Sequence, residues 1–156
     1  MEAAVKNIET PSYPAKEISA LEDKTEFLET IDKICRQMQK TFIDSEIGAA
    51  AKNSAWKKTE FEFRGTAGKK IIRGIIDLVF KNSDGTFTII DYKTNQTIQP
   101  EIYEAQLTCY KKVISDMLEI SPEKIRCYLY YLRFGKLVEI KTENSFKNLE
   151  NIIDNI

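Results

Sequence analysis

Two aspartates and a lysine lie inside apolar, strand-like runs in the middle of the chain. IIRGIIDLVF (71–80) carries Asp77, and FTIIDYK (87–93) carries Asp91 and Lys93. An ionised carboxylate among Ile, Val and Phe is costly unless it is paired, solvated in a cleft or bound to a cation. The NSDG between the runs is a turn cluster, so the two read as the strands of a β-hairpin. Side chains alternate along a strand, which puts Asp91 and Lys93 on one face, and antiparallel pairing can bring Asp77 beside Asp91. Such a cluster suits a hard divalent cation held by two carboxylates, with an ammonium nearby to meet a phosphate or a water. The alternative at this point is a solvated strand edge, with Lys93 a surface ion-pair partner of little energetic worth.

Other elements must hold these groups in place. Leu21, Phe27, Leu28, Ile31, Ile34, Cys35, Met38 and Phe42 recur at three and four, so an amphipathic helix is expected over 21–42. Ser45 caps a second, short helix to Asn53. WKKTEFEFRG (56–65) alternates as a first strand, with Phe61 and Phe63 on one face and Glu60 and Glu62 on the other. Gly74, inside a strand pattern, marks a bulge or a close approach of another group. After a loop over 94–100, helical spacing runs from Glu101 to Leu118, with Pro100 suited to the first turn. Gln106 and Tyr110 share a face of that helix, and by residue type alone they read as surface and core decoration. Tyr103 lies on the same face and is expected to pack in the core.

KIRCYLYYLRF (124–134) and residues 136–141 read as two further strands, the tyrosines forming a half-buried β-face. Phe146, Leu149, Ile152 and Ile153 give a closing amphipathic helix over 144–156. Residues 1–20, with Pro11 and Pro14, read as an extended leader, leaving 21–156 as one domain.

Composition narrows the classes. A chain of 156 residues with 42% hydrophobic and 30% charged residues can bury a core of its own. Its formal net charge of −1 shows no overall basic bias toward nucleic acid. With no histidine and only Cys35, Cys109 and Cys127, widely spaced, structural zinc is not expected, and the cysteines read as buried thiols. No apolar run approaches about 18 residues and no secretory core opens the chain, so a soluble cytoplasmic protein with no membrane partner is expected.

GIIDLVF (74–80), IIDYKTN (89–95) and QLTCY (106–110), in this order and spacing, resemble the PD-(D/E)xK nuclease superfamily. Within it they are most similar to the RecB-like branch, the nuclease domains at the C-termini of AddA and RecB helicase–nuclease subunits. The resemblance covers roughly Glu60 to Arg133. It implies a restriction-endonuclease-like α/β fold, an αβββαβ core on a mixed sheet, here with an extra N-terminal helix, strand and C-terminal helix. It makes Asp77, Asp91 and Lys93 catalytic. Asp77, Asp91 and the backbone carbonyl of Tyr92 would hold Mg²⁺ or Mn²⁺. Gln106 and Tyr110, the Q-x-x-x-Y signature, would bind the DNA backbone or orient the lysine, and Glu60 lines up with a further acid.

The implied function is that of a metal-dependent DNA exonuclease domain, leaving 5′-phosphate and 3′-hydroxyl ends. Helicase domains in cis and a partner helicase–nuclease subunit would join it in processing double-strand breaks. The sequence departs from AddA and RecB upstream, where a histidine or acid on a helix supplies another ligand. Glu26, Glu29, Asp32, Asp44 and Glu46 are the acids available there, and a fragment cut from a longer helicase–nuclease would lack that ligand. Two rival readings are a non-catalytic module that guides DNA or contacts a partner, and a small standalone nuclease of a defence or mobile-element system.

Overall fold

The computed structural model describes residues 24–67 and 70–142. The expected leader over 1–20 and the closing helix over 144–156 lie outside the described residues. Helix α1 (Lys24–Ile43) turns Met38, Phe42 and Ile43 toward the core. Its outer face carries the pairs Asp32–Arg36 and Lys40–Asp44, at 2.6 and 2.7 Å. The short α2 (Glu46–Asn53) starts at Ser45, whose hydroxyl accepts the Gly48 N–H at 3.2 Å. A Cβ on Gly48 would stand 2.0 Å from the Phe42 carbonyl oxygen, so the corner between the two helices closes only around glycine.

Five strands follow: β1 (Lys57–Ala67), β2 (Lys70–Lys81), β3 (Phe87–Lys93), β4 (Ile125–Tyr131) and β5 (Lys136–Ile140), and they lie side by side in that order. All neighbours are antiparallel except β3 and β4, which are parallel. A parallel pair needs a crossover, and helix α3 (Glu104–Leu118) supplies it.

The sheet separates two cores. Phe87 and Ile89 of β3 face α3 with Val79, Leu107, Ile114 and Leu129, while Ile90 and Tyr92 face the other way, onto Phe42 and Ala51. Covered on both faces, β3 is buried at six consecutive residues rather than at every second one. The expected mixed-sheet α/β class therefore holds: α1, β1 to β3, α3 and β4 give the αβββαβ order, with α2 and β5 added. Among the described residues no helix is long and apolar enough to cross a membrane.

Several boundaries and environments depart from expectation. β4 stops at Tyr131, where a last bond runs from the Leu132 N–H to the Lys93 carbonyl (2.9 Å) and the Phe134 N–H folds back onto the Tyr131 carbonyl (3.1 Å) in a turn. The helix expected from Glu101 begins at Glu104, after a 3-10 turn over Pro100–Tyr103. Tyr103, with φ −104° and ψ 0°, interrupts the helical dihedrals there. Tyr130 and Tyr131 are fully buried rather than half-buried, since helices lie on both sides of β4. Of the three thiols only Cys127 is fully buried, and burial pushes it up to about 12; Cys35 and Cys109 are half-buried.

Candidate active site

β3 delivers two of the polar groups from its last turn of pleat. Asp91 and Lys93, two residues apart, both point to the α3 side, while Tyr92 between them enters the opposite core beneath Phe42 and Tyr130. The Lys93 Nζ stands 2.5 Å from Asp91 Oδ2, with the two side chains only 14% and 5% exposed. A buried pair of this kind costs desolvation on both sides, and further hydrogen bonds must offset it.

The first turn of α3 supplies them. Gln106 Nε2 donates to Asp91 Oδ1 (3.0 Å) and to Tyr110 Oη (2.7 Å), and Gln106 Oε1 accepts from Lys93 at 3.4 Å. The amide can point only one way: a carboxylate requires its NH₂ and an ammonium requires its oxygen. Residues four apart on one helix face thus join a strand carboxylate to a strand ammonium.

Asp77 arrives from β2 where that strand parts from β3. The pairing recorded between them runs from Lys81↔Phe87 to Leu78↔Ile90. One step further, the Asp77 carboxylate takes over as acceptor, receiving the Tyr92 N–H at Oδ2 (2.7 Å). A disturbance of β1 faces the same spot. Thr59↔Leu78 and Phe61↔Ile76 are paired, but the intervening Glu60 has φ +47°. Ile76 and Val79, three apart, enter the same core, so the pleat reverses at Asp77. A left-handed non-glycine residue in a strand stores about 1–3 kcal/mol, and such strain gathers at functional sites.

Burial sets the electrostatics. Desolvation raises Asp77 above the ordinary carboxylate range, and the charge of Asp91 adds to this; the Tyr92 N–H and Lys93 oppose it. Asp91 is likewise raised by burial, against the pull of Lys93 and Gln106. Its Oδ2 is fully enclosed and faces the Lys93 ammonium. Burial also raises Tyr110, which accepts from Gln106.

Two supporting groups were not legible beforehand. The Lys93 ammonium lies 3.9 Å from the centre of the Tyr103 ring, a cation–π contact, while the Tyr103 hydroxyl reaches Asn95 at 3.2 Å. Tyr103 also packs against the core, as expected of it. Phe63 packs edge-on against Tyr110, centroids 5.7 Å apart, over the bare backbone of Gly74. A Cβ on Gly74 would stand 2.9 Å from the Phe63 ring, so Gly74 marks a close approach, that of the ring which braces Tyr110. The spacing of Tyr103 from Gln106 gave a shared face but not its contact with Lys93, and nothing in the sequence pairs residue 63 with 110.

Asp77, Asp91, Lys93, Gln106 and Tyr110 therefore converge. Glu60 is exposed, and the acid acting on Asp77 is Asp91. Of the upstream acids, Asp32 and Asp44 pair within or just beyond α1, and Glu26, Glu29 and Glu46 are exposed. Among the described residues no three His, Cys, Asp or Glu side chains gather as a metal cluster. The donor set nonetheless suits magnesium, which takes one or two carboxylates and keeps much of its water. Two desolvated carboxylates of like charge, with a single ammonium against them, form a site that a divalent cation would relieve.

A five-stranded mixed sheet whose second and third strands carry two carboxylates and a lysine, with a crossover helix on one face, has the restriction-endonuclease-like fold. The family model described as the PD-(D/E)XK nuclease superfamily matches residues 2–154, and the chain belongs to that superfamily. Members generally use divalent metal ions and act on nucleic acid. A comparison with curated proteins gives no match.

Tyr110→Phe removes the acceptor of one Gln106 hydrogen bond and keeps the ring against Phe63. Cleavage is expected to fall about 10-fold, near the net worth of one hydrogen bond, with Tm nearly unchanged. A collapse of Tm in a melting curve would place the hydroxyl in the service of the core instead.

Proposed function

We propose that this chain is a magnesium-dependent deoxyribonuclease of the RecB-like branch, closest in kind to the nuclease domains of AddA and RecB. Residues 21–156 would form that one domain. The convergence of Asp77 and Asp91 on the Lys93 ammonium, which also meets Gln106 and the Tyr103 ring, carries the reading. Asp77, Asp91 and the Tyr92 carbonyl would hold the cation. Bound there, Mg²⁺ or Mn²⁺ supplies Lewis acidity, lowering the pKa of water and offsetting charge on the phosphate. With a cation held by Asp91, the Lys93 ammonium, which stands 2.5 Å from that carboxylate, would be free to meet the phosphate or the attacking water. Gln106 holds both groups in register, and Tyr110 holds Gln106. Tyr110 receives its hydrogen bond through oxygen, so its own proton remains available to a phosphate oxygen of the bound strand. Glu60, beside the reversed pleat, stands as a possible additional acid.

In its biological setting the domain would act as an exonuclease with helicase domains in cis and a partner helicase–nuclease subunit, in double-strand break processing in the cytoplasm. The wording of DYKTN and QLxxY supports that placement. The direct test is cleavage of labelled linear DNA by the purified chain with Mg²⁺, with Mn²⁺ and with chelator. Metal-dependent cutting that chelator stops is the expected result. No cutting by a folded chain under any of these conditions would favour the non-catalytic module.

A further inference from the structure

β2 pairs with β3 only over Leu78–Lys81, yet it pairs with β1 from Phe80 out to Lys70. Beyond Asp77 the two strands therefore leave the sheet as a two-stranded ribbon. One face of that ribbon is accounted for: Phe63 and Gly74 lie under Tyr110, and Gly65 under Val113 of α3. On the other face the pairs Glu62↔Ile75 and Arg64↔Arg73 follow one another, with Ile71 one residue pair further out. All five side chains are exposed, Ile71 at 61% and Ile75 at 49%.

This face is unfavourable as it stands. Like charges directly opposite on antiparallel strands repel, and among the described residues no carboxylate pairs with either guanidinium. Two large apolar side chains flank them in water. The sequence of this end of the ribbon is also basic: residues 64–73 hold four Lys or Arg and no Asp or Glu, in a chain of net charge −1. Both costs are relieved by one kind of occupant, a strand whose phosphates meet the arginines and whose sugars and bases cover the isoleucines.

We infer that the outer face of the β1–β2 ribbon, Arg64 and Arg73 flanked by Ile71 and Ile75, is a second DNA contact that grips the sugar–phosphate backbone outside the cleavage site. The ribbon springs from Asp77, so this face belongs to the strand that carries a site carboxylate, on the side of the ribbon turned away from α3. This rests on the nuclease reading of the site and adds a surface that the D…DxK and QxxxY residues do not include.

The test separates binding from cutting. In an Asp91→Asn background, a fluorescently labelled single-stranded oligonucleotide is titrated with and without Arg64→Gln and Arg73→Gln, at several salt concentrations. Losing two phosphate contacts is expected to weaken binding about 10- to 100-fold near 0.1 M salt and to flatten the log–log salt slope by about 1.4. In the otherwise wild-type chain the same double variant should raise KM and leave kcat intact, with an unchanged melting curve. Equal affinity and equal slope with and without the arginines overturn the inference, as does binding of DNA by neither protein. A wild-type chain that binds through these arginines but never cuts sustains the ribbon contact and defeats the nuclease reading. Sedimentation without DNA adds a further arm: a dimer that the double variant dissociates would assign the face to a second copy of this chain and overturn the DNA contact.

Discussion

Asp91→Asn is expected to lower phosphodiester cleavage by about 10³-fold or more, equivalent to roughly 4 kcal/mol of transition-state stabilisation. The substitution keeps the shape of the side chain and an oxygen that can accept from Gln106 Nε2. What it removes is the charge, and with it half of the proposed cation site. Lys93 meanwhile loses the partner at 2.5 Å and keeps only the Tyr103 ring and the longer contact to Gln106. Leaving a nearly buried ammonium unpaired should cost about 1–3 kcal/mol of stability. Lys93→Met should be as inactive and similarly destabilised, because it strands the Asp91 carboxylate instead. The double variant Asp91→Asn, Lys93→Met removes both charges, so its stability should recover toward wild type while cleavage stays lost. Denaturant melts of the four proteins give the coupling directly. Strictly additive losses would mean that the pair contributes nothing as a pair, and cleavage surviving in either single variant would remove that residue from the chemistry.

Asp77→Asn should separate activity from stability in the opposite sense. Cleavage is again expected to drop by about 10³-fold. Yet burial holds the Asp77 carboxyl above its ordinary range, with Asp91 pushing the same way, so its ionised form is a cost to the metal-free fold. A carboxyl raised by folding contributes stability while it is protonated, below its unfolded pKa of about 3.9, and loses that contribution as pH rises through its folded value. At neutral pH the wild type bears this cost and the asparagine variant does not, while the Asn oxygen can still take the Tyr92 N–H. The variant should therefore have the higher Tm near pH 7 without metal, an advantage that shrinks as pH falls toward about 4. Added Mg²⁺ should raise the Tm of the wild type and leave the variant unmoved, since a ligand stabilises only the state that binds it. A variant less stable than wild type across that range, with no metal effect on either protein, would show that Asp77 is a structural acceptor and no more.

Much of this protein was written in local pattern. The 3.6-residue spacing of α1 and α3, the Ser45 cap, the NSDG turn and the alternation along β3 all depend on neighbours in sequence. They gave the order of elements, the mixed sheet and the shared faces of Asp91 with Lys93 and of Gln106 with Tyr110. Motif spacing carried the family, because each chemical group occupies a fixed place on its strand or helix.

Tertiary structure alone decided the rest. Whether the two aspartates faced water or one another depended on β2 leaving β3 after Ile90, three residues before β3 ends, which left the Tyr92 N–H to the Asp77 carboxylate. The positive φ of Glu60 and the reversal of the pleat opposite it arise between two strands, so neither strand's alternation encodes them. Tyr103 over Lys93 and Phe63 beneath Tyr110 join residues 10 and 47 positions apart in the chain. No period in the sequence reaches that far; only the crossover helix and the turn that leads into it, by lying on the sheet, bring Tyr103 to the Lys93 ammonium and Tyr110 to the Phe63 ring.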